Sequence, residues 1–334
     1  MANILVTGGA GFMGSWLVDI LLDKKHNVIN VDDLSGGFRR NINKHSTFYK
    51  IDLRNKEKVN KLFLENEIDI VYHLAAYAAE GQSVFTPIAI NESITIPMDN
   101  LLVASVNTNV KKFIFASSMS VYGTQRLPFN EKYLRSPEDP YGIAKAYCEN
   151  MLENFYDAHG LNYTIIRPHN VYGPRQNIYD AYRNVLGIWM NRILRGKPPI
   201  IYGDGEQKRA FSYVEDSMIS FANAGFLKKS DAEIINLGSP EIVTINKACR
   251  LVLDAMGSDL EPIYMKGRPQ EVKYAYSTTK KSEELLNHKN MHSLKEGLEE
   301  MVEWVNKVGC KEPIYGLPLE ILKNAPEVWV KKMM

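Results

Sequence analysis

The chain has 334 residues, 45% of them hydrophobic and 24% charged, with 40 Lys and Arg against 39 Asp and Glu. That length exceeds what one hydrophobic core usually serves. A formal charge of +1 with no long run of one sign excludes the electrostatic footprint of a nucleic-acid or membrane-surface binder. The expected partner is a small molecule held where two domains meet.

Three cysteines, Cys148, Cys249 and Cys310, are odd in number and far apart, which suits reduced thiols better than a disulfide framework. The first residues enter an apolar run with no basic region before it, and no apolar stretch is long enough to span a bilayer. A soluble, cytoplasmic protein is expected.

Ile4 to Val6 form a short apolar run that breaks at Thr7 into Gly8, Gly9, Gly11 and Gly14, after which Phe12, Trp16, Leu17, Ile20 and Leu21 recur at helical spacing. The stretch predicts strand, tight turn and helix. Further strands are expected at 27–32, 47–51, 69–74, 112–117 and 163–167, with helical patterns between most of them. This alternation predicts an α/β fold with a Rossmann-type, doubly wound parallel sheet. Beyond residue 175 the pattern changes to helices near 180–195, 214–228, 243–256 and 293–307 with short strand-like runs. Residues 1–175 are therefore assigned to a cofactor domain, with later segments such as 210–240 returning to it. Residues 176–334 are assigned mainly to a smaller, mixed α/β substrate domain. The proline-punctuated last stretch is expected to pack as a tail.

The Gly8-x-x-Gly11-x-x-Gly14 spacing between strand and helix is the context in which a glycine pattern gains meaning. Gly8 and Gly11 allow a tight turn and close approach to a pyrophosphate, and Gly14 lets the helix pack on the strand. Amides at the helix start, around Phe12 and Met13, face the phosphate charge. Asp32, ending the second strand, stands where an acid hydrogen-bonds the adenosine ribose, and its charge favours NAD over NADP. Asp52, beside Leu53, either reaches the adenine or is an ordinary turn acid. Ala75 and Ala76, after the fourth strand, complete the expected NAD contacts.

Tyr141 and Lys145 open an amphipathic helix, and a spacing of four puts them on one face. A nearby ammonium and the positive charge of a bound nicotinamide favour the phenolate of a phenol whose ordinary pKa is about 10, giving a proton acceptor. Ser117 and Ser118 follow the fifth strand at the edge where such sheets bind ligands.

These pieces resemble the extended short-chain dehydrogenase/reductase family, in its NAD-dependent nucleotide-sugar epimerase and dehydratase group. The resemblance rests on TGGAGFMG at 7–14, on Ser118 to Gly123 and on Tyr141 with Lys145. It implies Ser118, Tyr141 and Lys145 as the catalytic trio, with Lys145 also on the nicotinamide ribose, and a homodimer built on the helix from Tyr141 and one near 97–107. Leu152, Phe155 and Tyr156 would then lie partly between subunits. Asn170 and Asn184 are implied near a nucleotide-sugar diphosphate, Arg209 and Arg268 on its phosphates and Glu271 on the nucleotide ribose. The dehydratases carry Thr-Asp-Glu where this chain has Ser118-Met119-Ser120, and methionine cannot shuttle a proton. The resemblance is accordingly to the 4-epimerase branch, UDP-glucose 4-epimerase above all, with N-acetylated or uronic sugars as further substrates. Other NAD-dependent changes to a nucleotide sugar, and a non-catalytic NAD-binding protein, are the alternatives.

Two departures bear on the sugar. Ala78 stands where the epimerases commonly have a lysine, with Glu80 near it, and Ala275 stands where some have a bulky tyrosine, which predicts room for an N-acetyl group. His288 and His292 share helical spacing but have no third ligand in view, so no metal is expected.

Overall fold

Apolar residues with no polar alternation build the centre of a sheet. In β1 (Asn3–Thr7), Ile4 and Val6 enter one core and Leu5 the other, so both faces are covered. The computed structural model describes every residue except Gln270 and Glu271. From β1 the chain runs through α1 (Phe12–Asp23), β2 (Asn27–Asp32), β3 (Thr47–Lys50), α2 (Lys56–Glu65), β4 (Ile70–His73), α3 (Glu80–Ser83), α4 (Pro87–Asn107), β5 (Lys112–Ala116), α5 (Pro140–His159) and β6 (Tyr163–Pro168). It continues through β7 (Val171–Tyr172), α6 (Val185–Leu194), β8 (Ile200–Tyr202), β9 (Lys208–Ala210), β10 (Ser212–Tyr213), α7 (Val214–Ala224) and β11 (Glu233–Leu237). The remainder is β12 (Ile242–Thr244), α8 (Ile245–Ala255), β13 (Ile263–Met265), β14 (Tyr274–Ala275), α9 (Lys280–Leu286), α10 (Leu294–Val308) and α11 (Glu327–Val330).

Seven strands form one parallel sheet in the order β11-β6-β5-β4-β1-β2-β3. The winding reverses between β1 and β4, which opens a crevice at the carboxyl ends of those strands. One core places α1 and α7 against the sheet, and the other places α2, α4 and α5 there. β11 returns to the sheet edge beside β6, with Ile235 opposite Ile166. The other strands make small sheets, β12-β9-β14, β13-β8 and β10-β7, packed with α6, α8 and α10.

α5 has the punctuation a helix needs. The Asp139 carboxylate accepts from the Gly142 amide, Pro140 occupies the first turn and Gly160 ends the helix at φ 70°. α4 differs from the sequence expectation: it starts at Pro87 and passes through Pro97, which reads as a breaker in sequence. Among the described residues no helix is long and apolar enough to cross a membrane.

Candidate active site

A cleft of about 660 Å³ opens at the carboxyl edge of the sheet, between β1 and β4, and runs into the second half of the chain. Gly8, Gly11, Phe12, Met13 and Gly14 line one end of it. Gly8 has φ 73°, and a Cβ on it would stand 2.9 Å from the Ala75 amide nitrogen. A Cβ on Gly14 would stand 2.1 Å from the Gly8 carbonyl oxygen, so the helix meets the turn only because residue 14 is glycine. α1 begins at Gly11 with no side-chain cap and no acid in its first turn. Such an end suits a phosphate.

Asp32 is buried beside this turn and accepts from the amides of Ala10 (3.1 Å) and Leu34 (2.8 Å). Burial raises its carboxyl above the ordinary value against the pull of those amides. Asp52, Leu53, Ala75 and Ala76 also line the cleft. Asp52 is bound on both oxygens by Arg54, at 2.7 to 3.1 Å, which is the structural form of its turn-acid alternative. The glycine cradle, the uncapped helix start and the buried acid fit a dinucleotide.

Ser118 ends the extended run after β5, and its hydroxyl accepts from the Ser120 amide at 3.1 Å. The Ser118 side chain lies beside the Tyr141 hydroxyl and pulls its pKa down against burial, and both residues line the cleft. Lys145 is buried behind them: its ammonium donates to the Ala116 carbonyl at 2.8 Å and lies 5.7 Å from the Tyr141 ring centre. The one-face spacing predicts an ammonium that draws the phenol towards phenolate. Burial raises the phenol against that pull, and burial lowers Lys145 to about 8.

The two serines have different surroundings. Ser117 donates to Glu149, a fully buried carboxylate also held by Arg167 (2.9 and 2.6 Å) and Arg135 (2.5 Å). This network joins α5 to β6 directly behind Ser118.

Asn170, Asn184, Arg209 and Arg268 all line the cleft, whereas Glu271 lies outside the described residues. Asn170 donates to the Ala210 carbonyl at 3.0 Å, and Asn184 starts α6 at φ 66°. The Arg209 guanidinium donates to the carbonyls of Lys208, Val272 and Lys273. The Arg268 guanidinium lies 4.8 Å from the Tyr202 ring centre. Ala275 does not widen the cleft; it is buried in a cluster with Met119, Val121, Tyr122 and Phe129. His288 and His292 turn to separate partners, Ser220 and Asp216, and no group of metal-ligand side chains occurs among the described residues.

Sequence inspection missed Asp139, Arg183, Tyr77, Tyr202 and Trp329, all on the cleft wall. Arg183 pairs with Asp180 at 2.9 Å and lies 4.4 Å from the Tyr77 ring centre, a contact between distant segments with no local signature. Asp139 reads in sequence only as a helix cap. Burial and the charge of Glu80 push it up to about 7.

Asp139 gives a test. Its folded value lies above the ordinary 3.8, so its stabilising contribution is present below pH 3.8 and lost as pH rises through about 7. Asp139→Asn keeps the cap. Its stability relative to wild type is expected to improve by roughly 1–3 kcal/mol between pH 4 and pH 7 in urea titrations. A constant difference across that range would contradict the burial argument.

Comparison with known proteins fits this geometry. Residues 4–238 match the model of the NAD dependent epimerase/dehydratase family. A putative UDP-glucose 4-epimerase of Methanocaldococcus jannaschii is 35% identical over 304 residues, covering 90% of this chain and 98% of its own. The crystal structure of UDP-glucose 4-epimerase from Thermotoga maritima with UDP-glucose has TM-score 0.87 at 37% identity, covering 92% of this chain and 99% of its own. A UDP-N-acetylglucosamine 4-epimerase from Methanobrevibacter ruminantium, in complex with UDP-N-acetylmuramic acid, has TM-score 0.85 at 34% identity with the same coverage. A glycine cradle with a buried acid at one end of the cleft and a tyrosine beside a serine in the same cleft thus occur in a chain that belongs to the NAD-dependent epimerase/dehydratase family.

Proposed function

We propose that the protein is a UDP-sugar 4-epimerase, with UDP-glucose and UDP-galactose as its first pair of substrates. The observation that carries this is that Tyr141 and Ser118 stand side by side in the same cleft as the glycine turn, with Met119 and Ser120 where a dehydratase needs two acids. The relatives' names support the uracil base and the fourth carbon.

Bound NAD would supply the acceptor of the C4 hydride in the oxidation and, once reduced, its donor in the return step, with a positive charge beside the phenol. Gly8, Gly11, the α1 amides at Phe12, Met13 and Gly14, and Leu53, Ala75 and Ala76 would hold it, with Asp32 on the adenosine ribose. Asp52 stays with Arg54. Lys145 would turn from the Ala116 carbonyl to the nicotinamide ribose. Tyr141 takes the proton of the 4-hydroxyl and Ser118 donates to the same oxygen, giving a 4-keto sugar. The ketone turns about the diphosphate linkage and presents its other face, and Tyr141 returns the proton. Asn170, Asn184, Arg209 and Arg268 would grip the nucleotide diphosphate and Glu271 the nucleotide ribose, so binding energy comes from the part of the substrate that does not turn. Planar guanidinium forks suit phosphate oxygens.

UDP-glucose deuterated at C4 tests this. The expected product keeps the deuterium at C4, whereas loss of label to water or epimerisation at another carbon would contradict it.

Residues 1–175 with β11 would form the cofactor domain and most of the remainder the substrate domain. A homodimer would use α4 and α5, where Ile96, Val103, Ile143, Tyr147 and Tyr156 are exposed. Leu152 is fully buried and not available to a partner. Sedimentation equilibrium distinguishes dimer from monomer. The unpaired cysteines fit a reducing compartment such as the cytoplasm.

A further inference from the structure

The segment after α10 has little regular structure, yet Gly316, Leu317, Trp329 and Met334 stand in the cleft wall. It is tied to both halves of the molecule. On one side Ile314 bridges to Asp180, with its amide 2.6 Å from the Tyr179 carbonyl. On the other, the Leu317 carbonyl accepts from Gln82 at 2.9 Å. The Glu320 carboxylate accepts from the amides of Ile88 (2.9 Å) and Ala89 (3.0 Å). Those amides belong to the first turn of α4, where Thr86 provides no side-chain cap, so the tail supplies what the helix start lacks.

Trp329 is where the strap reaches the site. It is 2% exposed and meets Phe85, Tyr182 and Tyr202 edge-on, with ring centres 5.9, 5.1 and 6.2 Å away. The Arg268 guanidinium lies 5.9 Å from its ring centre and 4.8 Å from that of Tyr202. Its indole N–H finds no acceptor among the described residues, a cost that a buried tryptophan usually avoids. Shape, rather than a hydrogen bond, holds the ring there.

We propose that the tail is a built-in wall of the substrate subsite. In it Trp329 is a positioning residue that sets Tyr202 and Arg268 for a nucleoside diphosphate. The identity of that ligand rests on the proposed function. Tyr202 offers a face to the base and Arg268 a fork to the phosphates, and both lose a backing surface without Trp329. Trp329 packs on Phe85, Tyr182, Tyr202 and Arg268, so it acts on the substrate side of the cleft.

The test uses the holoenzyme as purified, with UDP as the calorimetric probe. Trp329→Ala is expected to weaken UDP binding about tenfold or more, as truncating a buried aromatic anchor does. KM should rise in parallel, with kcat within about threefold and NAD content unchanged. Trp329→Phe should restore binding to within about threefold of wild type, since it keeps most of the aromatic surface. Glu320→Ala loosens the strap from outside the cleft and should weaken UDP binding to a smaller extent, which keeps the test open if Trp329→Ala does not fold. Unchanged UDP binding in the Ala variants that fold would overturn the inference alone. Equal loss of UDP and NAD with no rescue by Phe would show a merely structural tail and overturn it too. Failure of the wild-type holoenzyme to bind UDP would overturn the proposed function, and the inference with it.

Discussion

Tyr141→Phe is expected to lower kcat by about 100- to 10,000-fold while NAD content and the folded structure stay as in wild type. Removing one oxygen leaves the ring buried in its place, so packing is kept, but the proton of the 4-hydroxyl loses its acceptor. Ser118 remains, yet its hydroxyl is tied to the Ser120 amide and carries no group that favours the charged form. The loss should fall on kcat and kcat/KM alike, because the phenol acts on a bond that changes only in the transition state. Steady-state assay with UDP-glucose checks this, with bound NAD measured after denaturation. Near-normal turnover would remove Tyr141 from the chemistry.

The second large effect is on stability. Burial alone would push the Glu149 carboxyl up, but its bonds to Arg167 and its attraction to Arg135 outweigh that and hold it below the ordinary carboxylate value. Glu149→Gln leaves Arg167, 1% exposed, without its counter-charge. Breaking such a pair costs about 3–5 kcal/mol. The half-exposed Arg54–Asp52 pair, by contrast, is expected to contribute about 1 kcal/mol or less. A depressed folded value stabilises above the unfolded one, so the Glu149 contribution is present at neutral pH and lost as pH falls into the acid range. Chemical denaturation of the two holoenzyme variants, Glu149→Gln and Asp52→Ala, should separate them clearly. Equal stabilities would show that the buried network is energetically neutral. Ser117 and α5 both rest on Glu149, so some loss of kcat is expected to accompany the loss of stability.

What the sequence showed followed from local rules. Short, mainly apolar runs marked β1, β2, β4, β5 and β6, and the Gly8, Gly11 and Gly14 spacing marked the turn that only small residues can make. Tyr141 and Lys145 were found because a helix turns spacing into a shared face. The same rule fixed no distance between their polar ends, and the Lys145 ammonium is at the Ala116 carbonyl. The place of Ala275 was read from a resemblance in chain position alone, and β14 buries it in the cluster around Met119 rather than on the cleft wall. Ser117 and Ser118 are adjacent in sequence, and only the buried Glu149 separates their roles. Arg183 meets Tyr77, and Trp329 meets Phe85, Tyr182 and Tyr202, across distant segments of the chain, which no periodicity encodes. A tail rich in proline and without a repeating pattern likewise gives no sign that Trp329 is buried in the cleft wall.

The most direct measurement is proton NMR of UDP-glucose incubated with the purified protein and no added cofactor. Formation of UDP-galactose to a stable mixture, approached equally from UDP-galactose, is the expected result, and it would show both the reaction and retained NAD. No epimer from UDP-glucose, its N-acetyl relative or its uronic relative, even with NAD added, would contradict a UDP-sugar 4-epimerase.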